Sequence, residues 1–287
     1  MLVDTSPHNL VDSAKIEQVE ARLLDLPQVE CPVVHHFGPG IYIREVTLPA
    51  GTLAIGHAQR FEHLNIMLTG AVAMVGDDGQ HKVLHAPMIF VGKPGRKFGY
   101  VLETCIWQNV YPNPDDERNI DTLEAKWLDK SDSWQAHEAA HQLSLIDTHE
   151  GDRIDFFRVV KQAGFDPATV RAQSENEDDQ IPMPDGFARV TVRPSPIEGR
   201  GIFLSYPAEE GELIGPARLD GMRTPLGRYT NHSCTPNAVF VKQGDNIYLY
   251  ALRRIAGCTG GSPGEEVTID YRQALALSGI HLEGELV

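Results

Sequence analysis

The chain has 287 residues, 41% of them hydrophobic and 23% charged, a composition that builds buried cores and excludes an intrinsically disordered chain. Lysine and arginine number 25 against 40 acidic residues, a formal charge of −15. That sign argues against direct nucleic-acid binding; it suits a basic partner, such as a cationic protein segment, and equally the general solubility of an acidic cytoplasmic protein.

Residues 1–30 read as a helical arm: Val11, Ile16, Val19 and Leu23 recur near helical spacing, Asp12 or Ser13 can cap the helix, and Pro27 stops it. The arm opens with no basic-then-apolar leader. No apolar run approaches the roughly 20 residues of a membrane helix, so the chain reads as a cytoplasmic protein without a membrane segment. The four cysteines, Cys31, Cys105, Cys234 and Cys258, form no CxxC pair, which disfavours a disulfide framework or a cysteine-rich zinc site.

Residues 31–112 read as β. Strands are expected at 41–48, 64–68, 71–75, 88–91, 100–102 and 105–110, separated by turn signals at Thr69-Gly70, 76–79 and 92–95. Many short strands with glycine-rich turns point to an antiparallel barrel or jelly roll. Residues 113–180 read as a helical connector, with helices at 123–127, 133–146 and 154–163 and a shorter one at 167–172. The acidic, then proline-rich, stretch 173–186 is the expected domain junction; its alternative reading is an acidic rim beside the path of a basic substrate. Residues 181–287 return to strands, at 188–192, 201–204, 212–214, 238–242 and 247–252, with Gly244-Asp245-Asn246 as a hairpin turn. The chain is therefore expected to be mainly β with α.

Two spacings bear on metals. Gly51, His57, Gln59, His63 and Gly70 together resemble the first motif of the cupins. The match is partial: Gln59 stands where a second histidine is usual, and His63 where glutamate is. The second motif offers Phe98 or Gly99 where another histidine is usual. His57 and His63 are the candidate metal ligands, with His85 a distant third, while a stable site needs three or four converging donors. A metal or small-molecule site and a degenerate barrel used for packing or assembly both stay open, and because cupins commonly associate, the resemblance implies a homo-oligomer. His137-Glu138-Ala139-Ala140-His141 fits HExxH, but Ser144 and Asp147 break the extended zinc-protease pattern, and the stretch reads as a solvated helix face.

The last third carries three ordered pieces: Gly199-Arg200-Gly201-Ile202-Phe203, then Arg228-Tyr229-Thr230-Asn231-His232-Ser233-Cys234-Thr235-Pro236-Asn237, then Gly264-Glu265-Glu266-Val267-Thr268-Ile269-Asp270-Tyr271. Their order and spacing resemble the signature of SET-domain protein lysine methyltransferases. The resemblance implies a small-stranded fold whose C-terminal loops form a pseudoknot, S-adenosylmethionine as cofactor, and a lysine-bearing protein or peptide as substrate. It implies cofactor binding by Gly199, Arg200, Gly201, Arg228, Tyr229, Asn231 and His232, and catalysis by Tyr271. The stretch 215–227 is shorter than the insert many members carry there, and no cysteine follows Tyr271, so the zinc module that closes the lysine channel elsewhere is missing. Residues 273–280 or the cupin-like domain would have to close it. A SET domain joined to such a domain looks more like bacterial or phage proteins than chromatin enzymes. The competing readings are a non-catalytic assembly or structural protein that retains the fold, and a cupin-type metal or small-molecule binder.

Overall fold

The computed structural model describes residues 13–75, 80–187 and 189–282. Val11, Asp12, the expected turn at 76–79 and Ala188 lie outside the described residues. By its contacts the chain divides into two compact units, Met1–Ala140 and His141–Val287. Strands dominate the first unit and share the second with helices, so the chain as a whole is mainly β with α. Among the described residues no helix is long and apolar enough to cross a membrane.

The first unit begins with α1 (Ser13–Leu24), followed by β1 (Val33–Gly38), β2 (Gly40–Leu48), β3 (Leu53–Ile55), β4 (Ala58–Gln59), β5 (His63–Val75), β6 (His81–His85), β7 (Met88–Gly92), β8 (Phe98–Asn113), α2 (Ile120–Trp127) and β9 (Leu128–Asp129). α3 (Asp132–Thr148) crosses the division between the units. Seven strands form one antiparallel sheet in the order β1-β2-β8-β5-β6, with β3 on β8 and β7 on β5. The arrangement is consistent with the expected jelly roll, except that no hydrogen-bonded pairing among the described strands closes it into a barrel.

Two expected strand pairs are single long strands. Residues 64–68 and 71–75 both belong to β5, and 100–102 and 105–110 both belong to β8. Thr69-Gly70 is a bulge rather than a turn: the β5–β8 register shifts there. Gly70 has φ +85°, and a Cβ on it would collide with the backbone at Thr104 and Cys105, so only glycine lets the two strands run on past one another. Along β5 the side chains alternate, His63, Asn65 and Met67 buried and Leu64 and Leu68 outward, the period of a half-buried strand. Asn119 caps α2 by accepting the Thr122 N–H. The arm is tied down through Glu20, which is buried and held by Arg96, Ser131 and Ser133.

The second unit contains α4 (Glu150–Gln162), α5 (Pro167–Ser174), β10 (Val190–Pro194), β11 (Arg200–Leu204), β12 (Leu213–Leu219), β13 (Met222–Arg223), α6 (Pro225–Tyr229), β14 (Asn231–His232), β15 (Ala238–Gln243), β16 (Asn246–Ala251), β17 (Glu266–Ile269) and α7 (Tyr271–Leu277). Two four-stranded sheets, β10-β11-β17-β14 and β13-β12-β16-β15, enclose one core built on Ile202, Leu204, Ile214, Leu226, Leu249 and Ile269. The short stretch 215–227 holds most of β12, the tight Asp220-Gly221 turn, β13 and most of α6. The acidic stretch 173–186 is tied into this unit rather than spanning the division between the units. Asp179 pairs with Arg223 and Arg228, and Ile181 N–H donates to the Arg223 carbonyl at 2.8 Å.

Candidate active site

The three C-terminal pieces meet because β17 pairs with β11 on one side and runs parallel to β14 on the other. β11 carries Arg200 and Gly201, β14 is Asn231-His232, and the chain leaving β17 reaches Tyr271 within two residues of Ile269. Asp270 caps α7 by accepting the Arg272 N–H, which fixes Tyr271 at the first helical position. This is the juxtaposition a C-terminal pseudoknot requires.

Asn231 and Glu266 form the first part of the site. The Asn231 amide nitrogen lies 3.0 Å from Ser195 Oγ, 3.1 Å from the Glu198 and Arg200 carbonyls and 2.8 Å from Glu266 Oε1. An amide has two N–H groups to divide among these four acceptors, so this side chain fastens the 195–201 loop to β17. Ser195 Oγ in turn lies 2.9 and 2.8 Å from the two Glu266 oxygens. Gly199 turns the loop with φ +54°, and at Gly201 a Cβ would collide with the Glu266 carboxylate. Burial pushes the Glu266 carboxyl up to about 7, against the lowering effect of its Asn231 and Ser195 hydrogen bonds.

His232 and Tyr271 form the second part. The His232 ring is fully buried, with Nε2 2.9 Å from Asp155 Oδ2 and Nδ1 accepting the Tyr271 backbone N–H at 3.1 Å. The Tyr271 ring centroid is 5.3 Å from that of His232 and 5.9 Å from that of Phe156, and its hydroxyl donates to the Thr230 carbonyl at 3.2 Å. Burial, reinforced by the Glu266 and Glu198 carboxylates, pushes the Tyr271 phenol well above its ordinary range. The Asn231 and His232 side chains both have protein partners, because burial leaves polar groups no water to bond.

Arg228 is also engaged: its guanidinium reaches the Gln173 carbonyl and Asp179, while its buried Nε has no partner. Arg200 lies over the Tyr229 ring, 4.3 Å from its centroid, and the Tyr229 hydroxyl donates to Gln180 at 3.3 Å.

Motif reasoning missed the acidic face of α4. Asp152 accepts from Ser233 Oγ at 2.8 Å and the Cys234 N–H at 2.9 Å. Burial alone would raise its carboxyl, but the His149, Cys234 and Ser233 hydrogen bonds win and hold it below the usual range. Asp155 takes both Arg272 amino groups, at 2.7 and 3.0 Å, as well as His232; the Arg272 pair above all holds its carboxyl far below the usual range. The available signal was weak: two aspartates three apart on a helix with an otherwise apolar face.

The metal candidates are not brought into a site. His63 has Nδ1 3.1 Å from the Phe61 carbonyl and Nε2 3.3 Å from Lys97 Nζ, and its ring stacks on Tyr111. His57 packs edge-on against Trp134, and its buried Nδ1 has no partner. His85 and His141 are exposed. Among the described residues no group of three or more His, Cys, Asp or Glu side chains is placed to hold a metal ion; His57 and His63 each pack against an aromatic ring.

No curated protein matches the chain. Among solved structures, a transcriptional regulator of the HTH_3 family from Vibrio cholerae is 18% identical over 32% of this chain and 60% of its own, with a TM-score of 0.25. A cupin-2 domain containing protein from Shewanella frigidimarina is 15% identical over 35% of this chain and 98% of its own, TM-score 0.25. An RmlC-like cupin family protein with a double-stranded β-helix fold from Methanocaldococcus jannaschii is 16% identical over 32% and 86%, TM-score 0.25. Residues 202–272, which begin directly after Gly201 and take in Arg228, Asn231, His232, Glu266 and Tyr271, match the family model of the SET domain.

Proposed function

We propose that the second unit transfers a methyl group from S-adenosylmethionine to the side-chain amine of a protein lysine, with Tyr271 at the reaction centre. The observation that carries this reading is the meeting of Asn231, His232 and Tyr271 within a region matching the SET domain, whose members are generally protein lysine methyltransferases.

The residues present fit the cofactor. Gly199 leaves the loop backbone open, with nothing within 4 Å of where a Cβ would stand, and Arg228 Nε is a buried donor awaiting an acceptor. Gly199, Arg200, Gly201, Arg228 and Tyr229 would hold it, with Asn231 and His232 fixing the walls. When bound, S-adenosylmethionine supplies an electrophilic methyl group.

The chain's own part is to bind, orient and keep water away. The Tyr271 hydroxyl spends its proton on the Thr230 carbonyl, so its lone pairs face outward to an incoming N–H. Two oxygens, Tyr271 Oη and Thr230 O, can thus orient a lysine nitrogen and stabilise the positive charge that develops on it. With its phenol pushed up, Tyr271 stays protonated and is not the base; the lysine ammonium gives its proton to solvent water before transfer. The Phe156 and His232 rings beside the phenol favour the neutral amine by excluding water. Acidic residues of 173–186 draw in a basic segment, α7 helps close the lysine channel, and the first unit serves assembly or substrate recognition.

Calorimetric titration with S-adenosylmethionine, followed by turnover on a panel of lysine peptides, tests the reading. Saturable binding and methylated lysine are expected; a chain that binds no cofactor overturns it.

A further inference from the structure

The His232 ring can be assigned a tautomer. A backbone N–H is an obligatory donor, and that of Tyr271 points at Nδ1 from 3.1 Å. Nδ1 must therefore keep its lone pair, so the ring proton sits on Nε2, where it meets Asp155 Oδ2 at 2.9 Å. The opposite tautomer would set the Nδ1 proton against the Tyr271 N–H and could turn only to Asp270 Oδ1, 3.8 Å away. The Asp155 carboxylate suits its place because every group facing it is a donor: His232, both amino groups of Arg272, and Arg158 at 3.2 Å. Asp155 belongs to α4, outside the stretch that matches the SET domain.

We propose that Asp155 is a positioning residue for Tyr271: it holds His232 in the tautomer that receives the Tyr271 backbone N–H, and so sets where the phenol stands. A hydrogen-bonded line runs from Asp155 through the His232 ring to the Tyr271 backbone, while the phenol at the other end of that residue is tied to Thr230. A brace between α4 and α7 would need only a charge pair, and Arg272 supplies one. Orienting a ring needs an acceptor on one nitrogen and a donor on the other, and both are here. The catalytic consequence rests on the proposed methyl transfer; the tautomer does not.

The test uses the full chain labelled with 15N at histidine, the His232 signals being identified from the spectrum of His232→Gln. In the unaltered protein His232 is expected as the Nε2–H tautomer. In Asp155→Asn a single carbonyl oxygen faces four donors, so the carboxamide must turn an N–H toward at least one of them. His232 should then populate the Nδ1–H form and the Tyr271 amide signal should move. Turnover number should fall by about ten- to a hundredfold, as for a displaced reacting group, with cofactor Kd and peptide KM changed by less than about threefold. Arg272→Gln, which removes the brace and keeps the acceptor, should lower thermal stability and leave the tautomer alone. A protonated Nδ1 in the unaltered protein overturns the proposal even if Asp155→Asn does not fold. So does an unchanged ring spectrum in Asp155→Asn, or identical spectra for the two variants. If the unaltered protein methylates no peptide, the proposed function fails while the histidine spectrum still decides this point.

Discussion

The two units differ in what surrounds their buried polar side chains. In the second, Asn231, His232, Glu266, Asp152 and Asp155 are buried in hydrogen-bond networks that join segments far apart in the chain. In the first, His35, His63 and Tyr111 lie among stacked rings, each keeping a hydrogen bond as well, and His57 Nδ1 and Trp127 Nε1 have no partner, as Arg228 Nε has none in the second. The cores differ likewise. The second unit has one continuous cluster, whereas the first divides into one around Tyr42, Tyr111 and Trp127 and another around Met67, Val101 and Trp107. A network orients its members, because each donor demands a particular acceptor, whereas a stack confers burial with less direction. The oriented half is where the proposed chemistry lies.

If orientation is what matters, the largest effect should come from the phenol. Tyr271→Phe is expected to lower the rate of methyl transfer about 100- to 1,000-fold, the scale of losing one charge-stabilising group, while cofactor binding by calorimetry stays within about threefold. An equal loss in binding would make Tyr271 a wall rather than a participant.

The divided and continuous cores can be set against each other with one substitution. Leu123→Ala and Leu249→Ala each remove a fully buried leucine, one from each unit. Each should cost about 2–5 kcal/mol, read by calorimetry as a lowered transition for its own unit. The loss should be smaller for Leu123, whose cluster is the smaller of the two.

The pH response should separate the units by sign. Glu266 titrates near 7 when folded and at its lower ordinary value when unfolded, so the folded state holds the extra proton and stability falls as pH rises from about 4.5 to 7. Its contribution is at most about 3 kcal/mol. His57 runs the other way: burial lowers it to about 4, the unfolded state takes the proton first, and stability is lost as pH falls from about 6.5 to 4. Acidifying from pH 7 to 5 should therefore strengthen the second unit and weaken the first. Glu266→Gln and His57→Phe should each flatten one profile. Parallel profiles for both units would break the comparison.

The smallest effect marks its edge. Arg60 and Asp129 form an exposed ion pair, 2.6 Å apart, that belongs to neither a network nor a stack. Arg60→Ala should cost less than about 1 kcal/mol in thermal unfolding, and less still in high salt.

Much of this was legible in residue order. Gly199, Gly201, Asn231, His232, Glu266 and Tyr271 lie in short ordered motifs, and the strand and helix content followed from periodicity and turn residues, because both are local properties. Thr69-Gly70 shows where local signals mislead: a glycine that permits a turn equally permits a bulge, and only the nearness of Thr104 decides between them. The partners of the motif residues were not legible at all. Nothing in the order of residues says that Asp155 will meet His232, or that Asn231 will spend its amide on the 195–201 loop, because a hydrogen bond is chosen by position in space and by the absence of water. The sequence by itself determined which side chains could do chemistry in this protein. The tertiary structure alone decided which of them are held, by what, and in which protonation state.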